Sequence, residues 1–244
     1  IEVSLLAADL VRVSYLPGSP PDPPVPYAIA RPEAEWAVPA FVPLQTSEAY
    51  LLVTERMTVG MRLDNGTLFY ADRDERVFRV DQSVAFGDNG AVEHQAALAP
   101  DERIFGLGER ATPWNRRGRT HVLWNTDPSG YSDGDDPINL NIPTYVGMSE
   151  AGSYLVFYEN PTYGEVDIDV SEPNIATHRF AGGQLHYYLA AGPVPTLMER
   201  YTELTGRHSL QPLWMLGYQQ SRWSYYPEAR VRQLAEDFAA HQVP

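Results

Sequence analysis

Two short runs in this chain carry side chains that could hold a ligand. Trp124 to Tyr131 (WNTDPSGY) sets an acid, an amide and two aromatic rings close together, and Gln219 to Tyr226 (QQSRWSYY) sets two amides, a guanidinium and three aromatic rings. Carboxylates accept hydrogen bonds from vicinal hydroxyls, and aromatic faces cover apolar C–H patches, so both runs suit a neutral sugar. A pocket that pairs apolar walls with a few polar groups has this make-up. Each run also has a plainer reading as a packed loop, with Trp124 in the core and Arg222 paired with an acid.

Other chemistries find little support. There is no phosphate loop of Walker type, no GxSxG elbow, and no pair of histidines at metal-ligand spacing among the six present. Without cysteine the chain has no disulfide, thiolate metal site or thiol nucleophile. Asp133, Asp135 and Asp136 crowd together with Gly134, yet they miss the alternating ligand pattern of a calcium loop and read as solvated turn acids. No metal and no cofactor is expected.

The formal net charge is −14, and every basic side chain other than histidine is arginine. Nucleic acid is therefore not an expected partner, and neutral ligands suit the surface better than polyanions. No apolar run approaches membrane-spanning length. The compartment stays open, because a chain without cysteine is permitted both in the cytosol and outside the cell. A soluble protein, with the cytoplasm slightly favoured, is the expectation. Oligomeric state is not legible.

The elements that must position these runs are mostly strands. Period-two alternation and turn residues predict strands over Ile1 to Leu6, Val11 to Leu16, Tyr50 to Thr54, Thr58 to Leu63, Thr67 to Ala71, Val77 to Val80 and Val92 to Leu98. More follow at Tyr154 to Tyr158, Glu165 to Val170, Thr177 to Phe180 and Leu185 to Leu189. Pro17 to Pro26 should run as an extended surface loop, since proline supplies no ladder N–H. Asp64-Asn65-Gly66 signals a hairpin, which accounts for the glycosylation-like Asn65-Gly66-Thr67 more simply than a sugar attachment does. Phe105 to Gly147, rich in Gly, Asn and Asp, reads as mostly turn and loop, with aromatic residues that argue against disorder. The whole indicates a large antiparallel sandwich.

The texture changes near Pro195. Leu197, Met198, Tyr201 and Leu204 fall at helical spacing and Gly206 ends the run, giving one connecting helix. Leu213 to Tyr218 reads as a strand buried on both faces. Pro227 then suits the first position of a helix carrying Val231, Leu234, Ala235 and Phe238 on one side. Strand, loop and helix make one unit of a parallel α/β fold, and one unit leaves its sheet edge uncovered. The expectation is that this is the N-terminal part of a longer polypeptide.

From Asp101 to Pro244 the chain resembles the family 31 glycoside hydrolases, the α-glucosidase and α-xylosidase group. FGLGER, WNTDPSGY, IPTYVG, YTELTGR and PLWMLGYQQSRWSYY occur in that family's order. The resemblance implies a mainly β fold: a galactose-mutarotase-like antiparallel β-sandwich over 1–194, a connecting helix and linker over 195–210, and the first β/α unit of a (β/α)8 barrel over 211–244. It implies that Asp127, on a sandwich loop, binds sugar hydroxyls near the leaving-group subsite, and that Tyr225 lines the same subsite. Arg222 and Trp223 match the family's Arg-aromatic pair. The family's retaining hydrolysis needs two carboxyl groups about 5 Å apart, both from later barrel strands, so no catalytic residue is assigned here.

The function implied is that of the N-terminal part of a retaining α-glycosidase, an α-glucosidase above all, acting on small oligosaccharides together with the rest of the same polypeptide. The alternative is a non-catalytic carbohydrate-binding or interaction module built on the sandwich. A mutarotase-like epimerase would need a His and Glu pair in the sandwich groove, and the scattered His94, His121, His178 and His186 give no such arrangement in the sequence.

Overall fold

A computed structural model of the chain describes residues 1–16, 27–88 and 90–243; the expected extended loop at Pro17 to Pro26 lies outside the described residues. Those residues form β1 (Glu2–Ala7), β2 (Leu10–Tyr15), β3 (Phe41–Gln45), β4 (Ala49–Thr54), β5 (Met57–Arg62), β6 (Leu68–Asp72), β7 (Val77–Phe86) and β8 (Val92–Ala97). Then come β9 (Arg103–Gly106), β10 (Arg119–Leu123), β11 (Thr144–Ser149), β12 (Gly152–Tyr158), β13 (Gly164–Ile168), β14 (Ile175–Phe180) and β15 (Leu185–Ala191). Two helices follow, α1 (Val194–Thr205) and α2 (Glu228–Ala240). Residues 1–206 and 207–244 are separate compact units.

In the first unit a six-stranded sheet runs β1-β2-β15-β12-β11-β9 and a nine-stranded sheet runs β10-β13-β14-β8-β7-β6-β5-β4-β3. Every pairing is antiparallel, as a sandwich built from hairpins requires. Strands β12 and β15 lie in the middle of the six-stranded sheet and are buried on both faces. Tyr154, Val156, Tyr158, Leu185, Tyr187 and Leu189 point between the sheets, while Leu155, Phe157, Tyr188 and Ala190 point outward under α1. Helix α1 covers that outer face with Leu197 and Leu204, and Arg200 ties it to buried Asp9 at 2.6 Å. The helix thus packs as part of the sandwich unit.

The hairpin between β5 and β6 forms at Asn65-Gly66. Gly66 takes φ +72°, and the Asn65 side chain accepts from the Thr67 amide at 2.9 Å, so the asparagine serves the turn. Strand β3 escapes the alternation rule because it is a sheet edge, exposed along its length and able to carry Pro43.

The second unit departs from expectation. Leu213–Leu216 is a 3-10 turn, closed by the Met215 amide on the Pro212 carbonyl at 2.9 Å, and its side chains are exposed. A strand of the parallel type expected at Leu213 to Tyr218 needs a neighbour to accept its ladder bonds, and no strand is assigned among the described residues of this unit. The helix expected after Pro227 is present as α2, with Phe238 edge-on to Tyr218 at 5.7 Å.

Candidate functional site

The loop that carries Asp127 is held by residues that precede it. Gly106 and Gly108 have φ of +129° and +82°, and a Cβ on Gly108 would lie 2.3 Å from the Leu140 carbonyl oxygen, so the FGLGER run needs both glycines to pass close under residues 140–145. Buried Arg110 then spreads its guanidinium over the loop. Its Nε donates to the Leu107 carbonyl at 2.9 Å, and Nη2 donates to the Val122 carbonyl at 2.9 Å and to Asn141 Oδ1 at 2.6 Å. Nη1 pairs with the Asp136 carboxylate, whose other oxygen accepts from the Val122 amide at 2.8 Å. Asp136 is therefore a part-buried clamp and not the solvated turn acid that the sequence suggests.

Asn141 completes the fixing by donating to the Trp124 carbonyl at 2.9 Å and to Asn125 Oδ1 at 3.1 Å. Thr126 binds the Pro137 carbonyl at 3.0 Å. Asp127, the next residue, is exposed, and its carboxylate makes no hydrogen bond or ion pair among the described residues. A loop with a pinned backbone thus presents the Asp127 carboxylate free, which is the arrangement a hydroxyl-binding carboxylate needs. Trp124 is half exposed and not core.

The other predicted residues belong to the second unit. Arg222 places its guanidinium 5.3 Å from the Tyr225 ring centre, a cation–π contact, rather than pairing with an acid. Trp223 is 98% exposed.

Sequence reasoning missed the most unusual site in the molecule, which lies between the two sheets. Arg79 and Asp81, alternate residues of β7, are both buried and paired at 2.9 Å. Arg79 also donates to the Tyr145 hydroxyl at 2.9 Å. The Tyr70 hydroxyl donates to Asp81 at 3.2 Å, and Tyr187 binds the same carboxylate. His94 and His178, expected to be scattered, stand side by side on β8 and β14, joined by the Tyr158 hydroxyl at 3.0 and 3.2 Å. The group is sealed from solvent, which leaves no room for a substrate and makes its role structural. Burial alone would raise the Asp81 carboxyl, but Arg79 and His94 beside it hold it well below the usual carboxylate range.

Three buried histidines are kept neutral. Burial, then the charge of Arg12, pushes His186 down to about 4; burial does the same to His178 and His121, in direction, with neighbouring cations adding to it. In the unfolded chain a histidine takes its proton near pH ~6.5. Between that value and the lowered one the unfolded state holds more protons, so stability is complete above about pH 6.5 and falls as pH drops toward 4. Unfolding free energies from urea titrations should therefore decline in order from pH 7.5 to 6 to 5, by up to about 1.4 kcal/mol per pH unit for each histidine. A flat profile would show that the fold takes up these protons as readily as the unfolded chain does.

Comparison with known proteins decides the family. A family model described as the glycosyl hydrolase 31 N-terminal galactose mutarotase-like domain matches residues 1–167, and the family 31 TIM-barrel domain matches residues 208–244. The chain belongs to glycosyl hydrolase family 31. Among family 31 relatives, alpha-glucosidase 2 of Bacillus thermoamyloliquefaciens is 27% identical across 100% of this chain and 31% of its own length. An alpha-glucosidase of Saccharolobus solfataricus is 31% identical across 58% of this chain and 21% of its own. The family 31 dextranase of Flavobacterium johnsoniae, solved with isomaltotriose, superposes with a TM-score of 0.89 at 24% identity, over 99% of this chain and 30% of that one. The chain thus spans about a third or less of these relatives. No helix among the described residues is long and apolar enough to cross a membrane.

Proposed function

We propose that this chain is the N-terminal portion of a retaining α-glycosidase, foremost an α-glucosidase, and that it recognises the sugar while barrel strands outside this sequence supply the two reacting carboxylates. By role, residues 1–194 are the sandwich, 195–210 the connector and 211–244 the opening of the barrel. Asp127 accepts hydrogen bonds from hydroxyls on the leaving-group side. Tyr225, Arg222 and Trp223, in the second unit, contact the sugar as well. The observation that carries this reading is the free Asp127 carboxylate on a backbone pinned by Arg110 and Asn141, in a chain of this family.

The test is an assay of the longer protein and of this chain on maltose, isomaltose and an aryl α-glucoside. Turnover by the longer protein and none by the 244 residues is expected. Tight sugar binding by this chain with no turnover by the longer protein would favour the non-catalytic module instead. In the longer protein, Asp127→Ala should lower kcat/KM on disaccharides at least about tenfold, roughly 1.4 kcal/mol, while unfolding stays within about 0.5 kcal/mol of the parent, because an exposed unpaired acid holds nothing in place. Unchanged kcat/KM across the substrates would remove Asp127 from the site. Tyr225→Ala should shift the preference between the two disaccharides.

A further inference from the structure

On the outer side of the six-stranded sheet, beside α1, lies a hollow of about 280 Å³ walled by Tyr27, Ile142, Pro143, Phe157 and Tyr201. Its floor is aromatic. Buried Phe157 stacks on Tyr188 at 6.0 Å and stands edge-on to Tyr201 at 5.9 Å. The amides in the lining already serve the fold: Asn141 Nδ2 donates to the Trp124 carbonyl at 2.9 Å, and Asn160 Nδ2 to the Gln184 carbonyl at 2.8 Å. One lining side chain is charged, and it is Glu159.

Glu159 is under-supplied with partners for an acid in such a wall. One carboxylate oxygen accepts from the Tyr188 hydroxyl at 3.2 Å; the other accepts from nothing, and no cation pairs with either, among the described residues. Arg12, whose charge reaches this carboxylate, is itself tied to Glu33 at 2.9 Å. An ionised carboxylate offers about four acceptor positions, so most of its capacity is unused. Burial raises the Glu159 carboxyl, and Arg12 and Tyr188 offset only part of that rise. A cation brought against the acid would restore the stabilisation that burial takes away.

The same walls select the kind of cation. A bare metal ion needs several oxygen ligands and finds one carboxylate here, and no group of three or more acids or histidines suited to a metal occurs among the described residues. An anion meets Glu159 and a net charge of −14. A charged nitrogen on an apolar body satisfies both parts of the hollow: its N–H groups reach the carboxylate, and its body lies on aromatic faces that also attract the charge. We propose that this hollow binds a small organic ammonium ion, with Glu159 as its counter-ion and Tyr27, Phe157 and Tyr201 as its aromatic walls. The site does not depend on the glycosidase reading.

The experiment is a calorimetric titration of the 244-residue chain at neutral pH with benzylammonium, benzyl alcohol and benzoate. Benzylammonium should bind in the millimolar range or tighter, benzyl alcohol at least about tenfold more weakly, and benzoate not at all. Glu159→Gln keeps an acceptor for the Tyr188 hydroxyl and should fold like the parent. It should weaken amine binding at least about tenfold and erase the preference over the alcohol. Tyr27→Ala, at a residue 91% exposed and therefore outside the core, should weaken amine binding several-fold. Equal binding of amine and alcohol by the parent, or parent-like amine binding by either variant, would overturn the site.

Discussion

Asp81→Ala should lower the unfolding free energy by about 3–5 kcal/mol, because it leaves the Arg79 guanidinium buried between two sheets without a counter-ion. The hydroxyls of Tyr145 and Tyr158 still accept from Arg79, at 2.9 and 3.4 Å, but neutral acceptors do not neutralise a buried charge. Asp81→Asn should lose nearly as much. The double change Arg79→Met with Asp81→Leu should recover part of the loss, since removing both charges removes the need to desolvate either. Chemical unfolding followed by circular dichroism reads all three. A single Asp81 variant within about 0.5 kcal/mol of the parent would mean that the pair is wetter than its burial implies.

Arg110→Ala should cost about 3 kcal/mol, and its effect should concentrate in one place. One guanidinium joins the Leu107 and Val122 carbonyls, Asp136 and Asn141, so its removal leaves the Asp136 carboxylate part-buried and frees Asn141, the residue that holds Trp124 and Asn125. Hydrogen exchange should accelerate across residues 124–141 more than across β12 or β15. Arg110→Lys should not rescue the loop, because one ammonium cannot reach acceptors laid out for a planar fork. Parent-like exchange in the lysine variant would refute the clamp.

Much of the sandwich is legible because period-two alternation is a one-face signal: Val92, His94 and Ala96 alternate with half-exposed neighbours, and the strand follows. The pattern fails where that premise fails. Strands β9, β10 and β11 are framed by Gly, Asn and Arg, so Phe105 to Gly147 looks like loop although strands occupy both its ends. Leu213 to Tyr218 has the composition of a strand but, among the described residues of its unit, no neighbouring strand to pair with.

Charged residues misled for a different reason. Arg79 and Asp81 alternate with Phe78 and Val80 as a solvent-facing stripe would, and nothing local reveals that the stripe faces the other sheet. Asp136 sits in an acid-rich turn, and only the fold brings Arg110 to it across 26 residues. Of the candidate site, the family resemblance in the sequence names Asp127 as the acid to test. It does not show what holds that acid still, because the clamp is made by residues distant along the chain.

That distance makes residues 105–110 and 124–141 a single heritable cassette. Transplanting 124–141 into another sandwich without Arg110 and the two glycines would move the letters of the loop and lose its shape. Substitutions at Trp124, Asn125 and Asp127, whose side chains are exposed, can therefore leave the loop's shape intact, while Arg110, Asp136 and Asn141 hold that shape as one unit.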